Sequence, residues 1–191
     1  MTFRFIFNKF LILFITAVIF AAVSCSPKAQ SEDIRTARYD NGSRKSECRY
    51  ENDKRNGICT GYYITGERRY VHHYQNGILH GLARGFNRDG SKLYVWRYQN
   101  GQIDGLARKY YANGNLHLEV NYRDGVLDGP FKGFHKNGII HFEREYQNGQ
   151  RVGTMKIYHK QDILKSEIDF VDDQQVFPER HFLPDGTPFK N

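Results

Sequence analysis

An all-β fold is predicted, an elongated single-layer antiparallel β-meander of stacked 24-residue hairpin repeats, and three observations predict it. First, six blocks beginning at Tyr50, Tyr74, Tyr98, Tyr122, Tyr146 and Phe170 align without insertion or deletion. In that alignment Gly57, Gly81, Gly105, Gly129 and Gly153 share one column, and Tyr62, Phe86, Tyr110, Phe134, Tyr158 and Phe182 share another. A fixed period of this length marks a structural unit that stacks on its neighbours. Second, Asn-Gly pairs recur at Asn76-Gly77, Asn100-Gly101, Asn113-Gly114, Asn137-Gly138 and Asn148-Gly149, the signature of two-residue hairpin turns with positive φ at both central residues. Third, the segments between turns are about eight residues long and lack a 3.6-residue period, which suits strands and not helices.

The elements follow in order. Residues 1–24 are expected to be an export signal: Arg4 and Lys9 flank an apolar run from Phe10 to Val23, interrupted only by Thr16 and shorter than a spanning helix needs. The segment Ala21-Ala22-Val23-Ser24-Cys25 resembles a bacterial lipobox, which implies a lipoprotein acylated at Cys25 (palmitate or a similar chain). Residues 25–33 then form the lipidated cysteine and a polar tether without apolar period. Two or more acyl chains would hold the protein stably at a membrane surface, and Ser26 after the cysteine favours the outer over the inner membrane by the sorting tendency of lipoproteins. The repeat domain is placed at 34–191, with full repeats starting at 50, 74, 98, 122 and 146 and partial or capping units at 34–49 and 170–191. Fourteen strands stacked at about 4.8 Å would extend to roughly 60 Å and should twist or curl into a trough.

A register follows from the turn at Asn113-Gly114. It sets Arg108, Glu119, Lys132, Glu143, Lys156, Glu167 and Arg180 side by side across seven strands. The signs alternate, and opposite charges across a strand pair contribute about 0.2 to 1 kcal/mol. The other face then carries Trp96, Ala107, Val120, Phe131, Arg144, Met155 and Ile168, mostly apolar, so one face packs and the other is wet. The same register puts Tyr74, Tyr98, Tyr122 and Tyr146 opposite Gly81, Gly105, Gly129 and Gly153, with each ring covering bare backbone. It also puts Cys48 opposite Cys59. In an exported chain such a pair favours a disulfide, the alternative being two buried thiols.

The pattern Tyr-x-Asn-Gly-x-x-x-Gly, followed by an aromatic and a second Asn-Gly, is carried by Tyr74 to Gly81, Tyr98 to Gly105, Tyr122 to Gly129 and Tyr146 to Gly153. It resembles the bacterial variant of the MORN repeat. The resemblance implies a stacked-hairpin fold and, for function, either an antitoxin-like member of a toxin and antitoxin pair or a scaffold at a membrane. It brings no catalytic motif. Asp53 and Asp173 at the first turn, and Phe177 where a glycine is expected, depart from the pattern and mark the outer blocks as caps.

Chemistry is sparse. The tightest histidine group, His72, His73 and His80, does not converge, because adjacent strand residues point to opposite faces. No metal or other cofactor is therefore expected. His117, His135, His141 and His159 read as solvated residues beside turns. There is no Gly-x-Ser-x-Gly elbow, no cysteine with an evident histidine partner and no phosphate-cradling loop before a helix, so the chain is not expected to be an enzyme.

The net charge of +7 is modest, and export makes nucleic acid an unsuitable partner. The leading expectation is a lipid-anchored module of the cell envelope that binds a protein or peptide through an aromatic surface of Tyr94, Trp96, Tyr98 and Tyr122, neutralisation of a toxin being one form of this. The competing one is a structural envelope component binding lipid headgroups or glycan through Arg84, Arg108, Lys132 and Lys156. Prolines near the end of the chain, Pro178, Pro184 and Pro188, should discourage end-to-end association, so a monomer is expected.

Overall fold

The computed structural model describes residues 33–189; the expected export signal, Cys25 and the expected tether up to Glu32 lie outside them. Fifteen antiparallel strands form one open sheet with no helix among the described residues. They are β1 (Asp33–Arg38), β2 (Arg44–Glu51), β3 (Lys54–Tyr62), β4 (Arg68–Gln75), β5 (Ile78–Phe86), β6 (Lys92–Gln99), β7 (Gln102–Ile103) and β8 (Gly105–Tyr110). There follow β9 (Leu116–Arg123), β10 (Val126–Phe134), β11 (Ile140–Gln147), β12 (Gln150–Tyr158), β13 (Leu164–Val171), β14 (Gln174–Gln175) and β15 (Arg180–His181). Each strand pairs with the next in sequence, apart from the short pieces: β6 pairs with both β7 and β8, and β13 with both β14 and β15. This is the meander the period predicts. Asp33, placed at the end of the tether from sequence, is the first residue of β1.

Two kinds of turn alternate, one kind on each edge of the sheet. The turns between repeats have φ near +50° to +90° at both central residues, for example Asn76 (49–51° being typical of its column) at 51° and Gly77 at 87°. Even the departures conform: Asn52 and Asp53 have φ of 49° and 60°, and Asp172 and Asp173 have 48° and 67°. Asparagine and aspartate tolerate this left-handed region better than other side chains. The turns within repeats differ from expectation. At Asn113-Gly114 and Asn137-Gly138 only the glycine has positive φ; Gly114 N–H bonds the carbonyl of Tyr111, and Tyr111 N–H that of Asn115. This is a three-residue loop closed by a left-handed glycine, the other common hairpin connection.

The central register holds. Arg108 pairs with Glu119, Glu119 with Lys132, Lys132 with Glu143, Glu143 with Lys156, Lys156 with Glu167 and Glu167 with Arg180. Near each inter-repeat turn it shifts. Tyr74 pairs with Leu79, yet two residues further along β4, His72 pairs with Ala83. The extra residues bulge out of the second strand, and Gly81 sits in that bulge with φ of 90°. The expectation that Tyr74 faces Gly81 is therefore corrected. Gly81 faces Tyr98 of the following strand, as Gly57 faces Tyr74, Gly105 faces Tyr122, Gly129 faces Tyr146 and Gly153 faces Phe170.

Nor do these tyrosine rings cover the bulge glycines: a Cβ at Gly57 would meet Arg49, and one at Gly81 would meet His73. Rings cover a different column. A Cβ added at Gly61, Gly85 or Gly133 would lie 2.1 to 2.2 Å from a ring carbon of Tyr70, Tyr94 or Phe142. Each of those glycines is paired directly with that aromatic. At the end of the array the sizes reverse, with Ile157 facing the fully buried Ser166. The pair fills one volume from either side.

The core is a line along one face: Cys48, Cys59, Ala83, Ala107 and Val120 are buried at successive register positions, with half-buried His72 and Trp96 between them. The array ends where the column chemistry fails. Phe177 occupies the column that left-handed bulge glycines fill elsewhere and does not itself take positive φ, and Pro178 has no amide hydrogen to give a ladder. The chain leaves the sheet between Gln175 and Arg180, and the expected fourteenth strand is reduced to a bridge between Phe182 and Pro188.

Candidate functional site

Strand alternation puts Tyr94, Trp96 and Tyr98 of β6 on the core-bearing face, because Trp96 pairs with the buried Ala83. Small residues flank the trio: Gly85 faces Tyr94 and Gly81 faces Tyr98. Large rings can therefore lie over β5 without crowding. Tyr94 and Trp96 stack with centroids 4.1 Å apart, and Trp96 and Tyr98 meet at 6.4 Å, tilted. On the far side of β5, Tyr70 stacks on His72 at 4.5 Å, and His72 Nε2 and Tyr94 Oη are hydrogen-bonded at 2.9 Å. The outcome is a continuous ring surface from Tyr70 to Tyr98, half-buried throughout.

Burial pushes the Tyr94 phenol up, and with it those of Tyr70 and Tyr98, so all three are neutral donors at physiological pH. Burial, then the neighbouring His73, pushes His72 below its ordinary value. The surface is thus uncharged, with phenol and indole hydrogens at its rim. Aromatic rings with a polar handle supply contact area at small entropic cost.

Of the four aromatics singled out from sequence, the structure brings Tyr94, Trp96 and Tyr98 together. Tyr122 stands a repeat further on, opposite Gly105 and Leu127, outside the stack. Sequence reasoning missed Tyr70 and His72, although the 24-residue spacing of Tyr70 from Tyr94 and of His72 from Trp96 signals them. It also missed a second cluster on the same face. The Arg144 guanidinium lies 4.3 Å from the Phe131 centroid, 5.2 Å from that of Tyr146 and 5.3 Å from that of Phe142. Its enclosed Nε has no hydrogen-bond partner, so ring faces hold this cation in place of a carboxylate.

The opposite face carries the charge row. Arg108 contacts Glu119 at 2.8 Å, Lys132 contacts Glu143 at 3.7 Å and Arg180 contacts Glu167 at 3.1 Å. Arg84, one of the cations of the competing reading, lies between Val71 and Val95 in the same row.

Cys48 and Cys59 face each other across β2 and β3, both buried, and the structure joins them as a disulfide. Their Cα atoms are 4.0 Å apart. His72 and His73 point to opposite faces, His73 Nδ1 meeting the Leu82 carbonyl at 2.7 Å. His80 lies within β5 at the bulge and not in the turn, with its Nδ1 enclosed and unpartnered. Among the described residues no group of three or more His, Cys, Asp or Glu side chains could hold a metal ion, and no helix is long and apolar enough to cross a membrane.

Two stretches of the chain, residues 103–124 and 127–148, match the family model of the MORN repeat variant. No curated protein matches the chain. The matched stretches are offset by the 24-residue period and run from β7 to the turn after β11. MORN repeats are a non-catalytic repeat type and generally serve as protein- or lipid-binding modules. The chain thus carries repeats of the MORN variant in its central portion, and the blocks on either side continue the same columns.

Proposed function

We propose that this protein is a non-enzymatic, lipid-anchored repeat scaffold of a bacterial cell envelope that binds a protein or peptide partner through its aromatic face. The observation that carries the reading is the half-exposed ring surface of Tyr70, His72, Tyr94, Trp96 and Tyr98. A rigid sheet fixes these rings, so binding orders little that was free before. The uncharged surface favours apolar or aromatic side chains flanked by backbone carbonyls, the chemistry of a peptide segment. Arg144 on the same face adds a cation for a carboxylate of the partner. Antitoxin-like neutralisation is one form of this function, with the repeats masking a toxin's surface. Acylation at Cys25 and the disulfide between Cys48 and Cys59 belong to the same proposal: the first places the array at the membrane, the outer one by its Ser26, and the second secures the first repeat in an oxidising compartment. The array acts as a monomer.

Affinity capture of the tagged full-length protein from its own cells tests the reading. One protein should be recovered in near-equal amount with the natural chain and lost when Tyr94→Ala and Trp96→Ala are combined. Recovery that is unchanged by that pair, or of abundant envelope components alone, contradicts it.

A further inference from the structure

On one edge of the sheet three turns are tied to the next repeat by a tyrosine. Tyr39 donates its hydroxyl to the carbonyl of Tyr62, Tyr63 to that of Phe86 and Tyr111 to that of Phe134, each at 2.8 Å and each 23 residues on. The same column holds Asn87 between Tyr63 and Tyr111, and His135 and His159 after them. An imidazole is shorter than a phenol, and neither ring makes the tie. Nε2 of His135 and Nε2 of His159 are both enclosed without a hydrogen-bond partner. Between these two turns lies a cleft of about 310 Å³ whose lining includes His135, His141, Tyr158, His159, Lys160 and Lys165. The cleft lies where the tyrosine tie is missing.

Its chemistry is one-sided. Two ammonium groups and three imidazoles line it, and no carboxylate does. Of the acids that act on Tyr158, Glu143 already accepts its hydroxyl at 2.7 Å and pairs with Lys132, while Asp162 and Glu167 stand near it without lining the cleft. His141 and His135 stack with centroids 4.2 Å apart. The His141 imidazole is pushed below its ordinary value first by burial, then by His135 and Lys165. A metal ion would meet the ammonium groups of Lys160 and Lys165. Lysine and imidazole side chains lining one cleft with no carboxylate among them suit a compact oxyanion, which accepts several charge-assisted hydrogen bonds at once.

We propose that the cleft between the His135 and His159 turns binds a phosphate-class oxyanion, held by Lys160, Lys165 and the imidazoles of His135, His141 and His159. It lies at a turn edge, on repeats other than those of the Tyr94–Trp96 stack, and is independent of the partner-binding reading above. The phosphate belongs either to a soluble phosphomonoester or to a lipid headgroup, and the test separates the two.

The full-length protein in neutral detergent micelles is titrated with inorganic phosphate and with phenyl phosphate, and the histidine ring resonances are followed by NMR. His135→Tyr supplies the residue that ties three other turns and fills the cleft, and so should fold; Lys165→Ala removes one donor at the exposed rim. The natural chain should show saturable shifts of His135, His141 and His159 but not of His72 or His73. Both variants should lose about tenfold or more in affinity with an unchanged far-ultraviolet spectrum. Phenyl phosphate binding as tightly as phosphatidic acid mixed into the micelles identifies a soluble phosphomonoester. Clearly tighter binding of phosphatidic acid, still abolished by His135→Tyr, identifies a headgroup. No saturable shift with any of the three, or affinity equal to that of the natural chain in both variants, overturns the proposal.

Discussion

On one face of the sheet the Tyr94 ring lies over Gly85 and the Phe142 ring over Gly133; on the other, Arg108, Glu119, Lys132 and Glu143 stand in a row beside water. Both arrangements recur at the 24-residue spacing, the ring-over-glycine pairs skipping Lys109 with Leu118, and both agree with the strand register. They differ in what a single change can do. Ring over glycine is a volume match with no slack, because close-packed groups cannot yield by even a methyl without moving. Charge beside charge in water is adjustable, since solvent and counterions replace a lost partner. The aromatic face therefore holds a fixed shape, as the recognition proposed for it requires, while the charged face keeps register.

The largest effect is expected from Gly85→Ala. Gly85 does not need positive φ, so the substitution tests the ring contact alone, and its Cβ would fall 2.1 Å from Tyr94 Cε1. A loss of about 1 to 3 kcal/mol in urea unfolding is expected. The same substitution should cost much less when Tyr94 is already alanine. An equal cost in both backgrounds would break the packing account. A smaller effect should follow from Glu119→Gln on the charged face: about 0 to 1 kcal/mol, fading as salt is raised. A loss as large as that of Gly85→Ala, or one indifferent to salt, would erase the distinction between the faces.

Much of this was legible in the sequence, and the exceptions share a cause. The 24-residue period, the meander, the row from Arg108 to Arg180 and the pairing of Cys48 with Cys59 all follow from spacing and side-chain sign. The bulges do not. They lengthen one strand of each inter-repeat hairpin, so Gly81 faces Tyr98 and not Tyr74, and a register extended by arithmetic cannot see an extra residue that the backbone absorbs. The true ring and glycine pairs were visible as columns, Gly61, Gly85 and Gly133 against Tyr70, Tyr94 and Phe142, yet became pairs only once the strands were aligned. The histidine cleft was the least legible. His135 and His159 sit plainly in a tyrosine column, but the meaning of the exchange depends on a hydrogen bond to a carbonyl 23 residues away.

The most direct measurement of the central claim compares the faces in living cells. A photo-crosslinking amino acid is placed at Trp96 in one variant and at Arg108 in another, and adducts are separated after irradiation. The account predicts one discrete protein adduct from position 96 and none from position 108. Adducts from position 108 alone, or equally from both, would contradict the assignment of recognition to the aromatic face.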